Sequence, residues 1–410
     1  MTADRFPAAH GCALRVAMLA PFAVHGPKGT ACWRVMPLAR ALAAGGHSVR
    51  VVVPPYDFPA DGGRRWLDGG VEVVNVSLPR AGRQAGAMTL VARLVQAASG
   101  WKPDVVHSFK PKGYTGLAAA WLAQRGFVVV QDSDDWETGW NDLAGYGRGL
   151  QRLFAWQERR GLQAAAAVTV ASRWLERLAI RLCGTGQGVF YLPNSVQAGR
   201  FAVGSHSRYA MDFATSEVKP QTKRVLLYTQ FVETTPAAVW RVWSAVLARC
   251  PDAILVVVGA GGAGEEQTLV RLAGEAGGAR SVVLLGWQQH DTLSGLLAAM
   301  DAAVFPAADT PLNRAKSPMR LLDALAAGVP VATQAVGEYG EYVIDGETGL
   351  VTSPGDAAAL AGAVVRLLED PILARSLADE AARRVEVDHS WPRMAEIAEA
   401  AYDSALKGKP

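Results

Sequence analysis

Nowhere in the 410 residues do about 18 apolar side chains follow one another, so no stretch qualifies as a membrane-spanning helix. Cysteine is scarce as well. The four residues, Cys12, Cys32, Cys183 and Cys250, lie far apart in the sequence. That excludes a disulfide scaffold or a paired-cysteine metal site and leaves free thiols in a reducing compartment as the expectation. No apolar run followed by a small-residue cleavage site stands near the start, where Val16 to Phe22 reads as a strand; no secretion signal is expected. The expected location is cytoplasmic, free or against the inner membrane face. A large excess of charge is also missing, the formal net charge being +3, and no nucleic-acid partner is expected.

That near-balance hides an asymmetry. Residues 1–217 hold 24 Lys and Arg against 15 Asp and Glu, whereas the remainder holds 17 against 23. In the basic half, Arg152 to Trp156 and Arg173 to Arg177 combine arginine with tryptophan. Such segments read either as solvated helix faces or as a surface for an anionic membrane or a phosphate-bearing acceptor.

The length exceeds what a single hydrophobic core serves, so two domains are expected. Short β-branched runs alternate with helix-like segments from RVAML to AVTVA in the first half and from RVLLY to VPVAT in the second. Runs this apolar lack the alternation of a one-sided sheet. Two Rossmann-like, doubly wound parallel-sheet domains with helices on both faces follow. Residues 1–217 form the first and 218–388 the second, with a polar linker over Gln197 to Thr222. Residues 389–410, with Ser390 at the start, read as a helix crossing back to the first domain.

In open parallel sheets ligands bind beyond the carboxyl ends of the strands. The richest such segment is Lys316 to Val331. Ser317 reads as an N-cap, Pro318 as the first helical residue and Gly328 as the stop, giving a helix of about ten residues. Its free N–H groups, with Arg314, Lys316 and Arg320, suit a diphosphate. Asp323 falls about 9 Å along the axis from the helix start. It shares a face with Lys316 and Met319, and suits the hydroxyls of a ribose. The alternative is a salt-bridged core acid beside a solvated lysine.

Together with RVMPLARALAAGGHSVRVV, KPDVVH, LPNSV and GEYGEYVIDGETGLVTSPGD, the KSPMRLLDALAAGVPV segment resembles the retaining glycosyltransferases of family 4. The likeness covers most of the chain. It implies the GT-B architecture, with a reaction centre in the cleft between the two halves. It also implies transfer of a sugar from a UDP- or GDP-sugar to a carbohydrate or lipid-linked hydroxyl, with retention and no required metal or cofactor. The second domain would hold the donor and the first the acceptor. The pattern departs from the family at three positions. Its paired glutamates fall on Ala315 and Asp323, so the first carboxylate is lost, with Asn313 a neighbouring substitute. The usual Arg and Lys after the first strand of the donor domain fall near Gln230 and Thr235. A binding protein without turnover, or a nucleotide-sugar epimerase, are the competing readings.

Within that frame, His25 to Thr30 is a glycine-containing loop opening a helix, with Thr30 as N-cap and Pro37 kinking the helix beyond. Lys28 and Gly29 are its candidate donor contacts. Gly337 and Glu338 join Gln230, Arg314, Lys316, Ser317, Pro318, Met319, Arg320 and Asp323 as donor-site candidates. Lys112, in the second Pro-Lys-Gly of the sequence, joins Asp132, Asp135 and Trp136 as acceptor-site candidates. Asp134 falls where the family places a histidine. It stands with His107 and Lys316 as a catalytic candidate. The acidic run from Asp132 to Glu137 also reads as a divalent-cation site or a helix-capping loop, and His107 as a core histidine. Gly259 to Gly264 matches G-x-G-x-x-G, but no acid for a ribose follows the next strand.

Overall fold

The computed structural model describes residues 13–25, 29–79, 83–197, 201 and 222–408. They form two compact units. One comprises the chain up to Ser195, Ala315–Ser317 and the residues from Trp391 onward; the other comprises Val196–Arg314 and Pro318–Ser390. The stretch read as a linker lies almost wholly outside the described residues, as does Lys28.

The first unit contains β1 (Arg15–Leu19), β2 (Ser48–Val53), β3 (Arg65–Asp68), β4 (Val71–Asn75), β5 (Val105–Phe109), β6 (Val128–Ser133), β7 (Ala167–Val170) and β8 (Val189–Tyr191). Their order is β3-β4-β2-β1-β5-β6-β7-β8, parallel throughout except that β3 runs antiparallel to β4. All residues of β5, β6 and β7 are buried, as their apolar runs require when helices cover both faces. Successive side chains of β1 feed opposite layers. Val16 and Met18 enter one cluster, Ala17 and Leu19 the other. The helix Trp391–Lys407 presents Trp391, Met394, Ala398 and Tyr402 at helical spacing to the first of these clusters.

The second unit contains β9 (Arg224–Tyr228), β10 (Ile254–Val258), β11 (Val282–Gly286), β12 (Ala302–Phe305), β13 (Val331–Gln334) and β14 (Leu350–Thr352). All six are parallel, in the order β11-β10-β9-β12-β13-β14. Trp243 is buried beneath them and its indole N–H donates to Ser281 Oγ at 3.0 Å. In each sheet the connection reverses direction beside the first strand of the unit, between β1 and β5 and between β9 and β12. These switch points open crevices at the strands' carboxyl ends.

The expected doubly wound fold is therefore present. The short strands β3, β8 and β14 went unread; they are at most partly buried and lack the continuous apolar run that marked the equally short β7, β12 and β13. Two helix starts also differ from expectation. The helix after Thr30 opens with a π-helical stretch over Ala31–Val35 and continues as Met36–Ala44 with helical backbone at both Val35 and Met36, so its pitch changes just before Pro37. Thr30 caps nothing with its side chain. The donor-side helix is Met319–Ala326, eight residues, with Pro318 rather than Ser317 at its cap position. Gly328, at φ +69°, ends it as read.

Candidate functional site

In the first unit the ends of β5 and β6 carry a buried set of charges. Lys110 follows β5 with φ +61°, a turn that aims its side chain back over the acidic loop after β6. Its Nζ lies 3.1 Å from Asp134, 2.8 Å from Asp135 and 2.9 Å from Glu137. Burial alone would lower the pKa of this lysine, but the three carboxylates outweigh it and hold the ammonium well above its ordinary range. Lys112 pairs with the other oxygen of Glu137 at 2.5 Å. Thr30 donates its hydroxyl to Asp134 at 2.6 Å. Burial would raise Asp134, yet Lys110, Arg34 and Thr30 together keep it below the usual carboxylate range, so it is an anion. Asp134, Asp135 and Glu137 are spaced as a metal site would be, with a lysine ammonium at their centre. Glu158 turns inward to accept the N–H groups of Glu137 and Thr138, both at 3.0 Å, which caps the helix Glu137–Leu143. The acidic run thus serves partly as the capped loop that was one of its readings.

Asp132 and His107 belong to the core. Arg34 grips Asp132 through Nε at 2.9 Å and Nη2 at 2.7 Å, and both side chains are almost wholly buried. Thr169 donates to the same carboxylate at 2.6 Å. Since that hydroxyl is spent, the His107 Nε2–H donates to Thr169 Oγ1 at 3.1 Å, and its Nδ1 accepts from the Tyr402 hydroxyl at 2.8 Å. With no exposed surface and both ring nitrogens occupied, His107 does not reach a substrate. Burial lowers its pKa to about 3, so it stays neutral. Asp132, equally inaccessible, is pushed up by burial against the pull of Arg34. Neither serves as a contact to acceptor. Asp135 and Trp136 are half-buried, and the Trp136 ring meets Trp174 at 5.1 Å. Gly29, at φ +83°, is exposed.

Residues Ala315–Ser317 group with this unit. Ala315 packs among Leu162, Val170 and Leu175. The Ser317 hydroxyl, expected as a helix cap, instead accepts the N–H of Asn194 at 2.9 Å, and Asn194 Nδ2 donates to the Ser317 carbonyl at 2.8 Å. The Lys316 ammonium lies 5.2 Å from the Trp140 ring centre.

In the second unit the switch point gathers the loop after β9, the residues before the helix Met319–Ala326 and the turn after β13. Arg320 lies 3.4 Å from Glu233 and 5.7 Å from the Tyr228 ring centre. No acidic residue stands in the first turn of this helix, and its cap residue, Pro318, makes no side-chain cap. Asp323 is buried one turn further on. Arg314 is exposed and held bidentately by Asp309 at 2.5 and 2.6 Å. Gly337 adopts φ +51°, where a Cβ would stand 2.6 Å from the Arg314 backbone; only glycine permits this approach. Glu338, next to it, is fully buried. Gln230 is half-buried, and Thr235 caps the helix Pro236–Leu247 by accepting the N–H of Ala238 at 3.2 Å. Asn313 donates its amide to the carbonyls of Glu233 at 2.9 Å and Ala308 at 2.8 Å. Its Oδ1 is buried and lacks a hydrogen-bond partner among the described residues.

The residues missed in the sequence are the partners: Arg34, Lys110, Glu158, Thr169 and Glu233. Only the rarity of an unpaired buried charge points to them, and that signal needs the fold. The G-x-G-x-x-G match is closed from within. Gly261 N–H is taken by Glu266 at 2.9 Å and Ala263 N–H by Glu265 at 2.8 Å, leaving those donors occupied and two carboxylates where a phosphate would sit.

Two doubly wound, largely parallel-sheet α/β units are the architecture of the GT-B class. Residues 29–195 match the glycosyl transferase 4-like domain and residues 216–384 the glycosyl transferases group 1 domain. The chain belongs to the group 1 GT-B glycosyltransferases. It is 36% identical over 130 residues to a glycogen synthase of Mycobacterium tuberculosis, covering 32% of this chain and 30% of that one, so the match spans about a third of that relative. Among solved structures it resembles a sucrose-phosphate synthase from Thermosynechococcus elongatus, with TM-score 0.71, 21% identity and coverage of 95% and 98% of the two chains. It also resembles Anabaena HepE in complex with UDP-glucose, with TM-score 0.70, 18% identity and coverage of 94% and 99%.

Proposed function

We propose that the protein moves a sugar from a UDP- or GDP-sugar to a hydroxyl of a carbohydrate or lipid-linked acceptor. In this reading the transfer retains configuration, needs no metal and takes place on the cytoplasmic side of a membrane. The observation that carries it is the start of the helix Met319–Ala326. Its cap residue, Pro318, offers no side chain to its first N–H groups, no acid opposes an anion in the first turn, and Arg320 stands beside it. The diphosphate sits there, drawing Arg320 away from Glu233, while Asp323 takes the ribose hydroxyls. A structural neighbour of the same fold holds UDP-glucose, which supports a nucleotide-sugar as the donor. Asn313 Oδ1, a buried acceptor with its amide already spent, replaces the carboxylate lost at Ala315 in receiving a donor-sugar hydroxyl.

In this reading Asp134 is the catalytic residue of the first unit. It is anionic, fixed by Thr30 and Lys110, and orients the acceptor hydroxyl, whose proton passes to the leaving phosphate. No strong protein base is then needed. Lys112, Asp135 and Trp136 lie around it on the acceptor side.

Calorimetry with UDP, GDP and ADP, followed by product analysis with each nucleotide-sugar, tests the reading. Asp323→Ala and Arg320→Gln are each expected to weaken nucleotide binding about tenfold or more, the worth of one hydrogen bond to a charged group. Absence of binding by all three nucleotides overturns it. The missing cations at Gln230 and Thr235 favour a second reading, a nucleotide-sugar binder without turnover. Binding with no release of nucleoside diphosphate in the presence of acceptor would establish that one instead.

A further inference from the structure

In the second unit the loop after β9 is built under strain. Phe231 is a buried, non-glycine residue with φ +57°, a conformation that persists only where the surroundings hold it. They hold it from several sides. The Phe231 side chain lies in the core cluster of Val239 and Trp243, and its N–H donates to Thr229 Oγ1 at 2.8 Å. Gly259 comes so near that a Cβ there would overlap the Thr229 carbonyl oxygen. Two residues beyond Phe231, the Glu233 carbonyl accepts the N–H of Ala308 and the amide of Asn313, both at 2.9 Å.

This turn delivers a carboxylate to Arg320. Glu233 Oε1 lies 3.4 Å from Arg320 Nη1, the two side chains being 12% and 25% exposed. Thr229 Oγ1 stands 3.5 Å from the other carboxylate oxygen. The buried phenol of Tyr339 is kept protonated, its pKa well above the ordinary value, by burial and by the Glu233 charge, with Arg320 pulling the other way. Holding an anion calls for no acid at this place, so the strained turn that supplies one serves something else. Asn313, anchored on the same loop by its amide, keeps an Oδ1 that is buried and without a hydrogen-bond partner among the described residues, an acceptor left for a ligand.

We propose that Glu233 separates the nucleotide-sugar donor from the nucleoside diphosphate product, competing with both for Arg320 and repelling the product more strongly. Transfer breaks the bond from the anomeric carbon to the diphosphate and forms one to the acceptor oxygen. The acceptor's proton goes to the leaving phosphate and, since the second pKa of such a group is about 6, on to water. The product therefore carries one negative charge more than the donor did, beside a carboxylate that returns to Arg320 as the product departs. The inference rests on the placement of the diphosphate at the helix Met319–Ala326.

Calorimetry on the full chain near neutral pH, with UDP against UDP-glucose and GDP against GDP-mannose, tests it. Glu233→Gln is expected to tighten the nucleoside diphosphate about tenfold and the nucleotide-sugar about threefold. Near pH 5, below the product phosphate's second pKa of about 6, the two gains should become equal. Glu233→Asp keeps the charge and should keep the parent's ratio of affinities, and thermal melts of both variants report on folding. Affinity for the diphosphate that is unchanged or weaker in Glu233→Gln, or gains that are equal at neutral pH, overturns the proposal and leaves the donor site standing. A change that both variants share marks damage to the turn and overturns it too. Absence of binding by all four ligands, in parent and variants alike, overturns the donor-site reading and this inference with it.

Discussion

Arg34 and Asp132 form a two-pronged ion pair, at 2.9 and 2.7 Å, in which neither partner has meaningful contact with solvent. Removing one member leaves the other charge buried and uncompensated. Arg34→Met or Asp132→Leu is expected to cost about 3–5 kcal/mol in urea unfolding, and the double substitution much less than the sum. Single substitutions costing under about 1 kcal/mol would show that the pair is solvated in solution.

Lys110 stands to three carboxylates as a built-in cation. Lys110→Met should lower stability by about 3 kcal/mol through their mutual repulsion. It should also create a response to Mn²⁺ that the parent lacks. At a hundredfold excess over its dissociation constant, the ion would return about 2.7 kcal/mol. A melting temperature indifferent to Mn²⁺ in the variant would show that the carboxylates do not converge once the lysine is gone.

His107 ties stability to pH. Its folded pKa, about 3, lies below the ordinary histidine value of 6.5 because the ring is buried. Between those values the unfolded chain binds the extra proton, so stability rises with pH across this window and is lost as pH falls through it. The limiting slope is about 1.4 kcal/mol per pH unit for one group. His389, lowered to about 4 by burial, adds in the same direction. His107→Gln, measured by urea unfolding from pH 4 to 7, is expected to flatten the slope by His107's share and leave that of His389.

Gly337 can bear no side chain where it is. Gly337→Ala combines a left-handed φ with a contact of 2.6 Å to the Arg314 backbone. We expect a loss of more than about 1 kcal/mol in stability. A weaker affinity for UDP should accompany it, as the segment leading to Met319 shifts. A variant as stable as the parent would mean that this turn relaxes freely.

The sequence revealed periodic and punctuated features well, and pairings poorly. The buried strands announced themselves through runs such as FVVV and ILVVV, and Gly328 marked a helix end because only its left-handed φ was needed there. Ser317 shows the limit. Its position before Pro318 fits a cap, yet the hydroxyl is claimed by Asn194, more than a hundred residues away. Asp132 and His107 carry the side chains of a reactive site, and nothing local distinguishes them from Asp134. Only the arrival of Arg34, Thr169 and Tyr402 closes off the first two completely, while Asp134, held by Thr30 and Lys110, keeps 8% of its surface exposed. Long-range partners decide which polar residues remain available, and residue spacing does not encode them.

The helix Trp391–Lys407 imposes an order on synthesis. Tyr402 completes the hydrogen-bonded row through His107, and Glu399 meets His47 at 3.0 Å. The first unit to leave the ribosome is therefore the last to finish. Its sheet must wait, with a polar histidine and an open apolar face, until some two hundred intervening residues have emerged, and the second unit has every residue it needs before then.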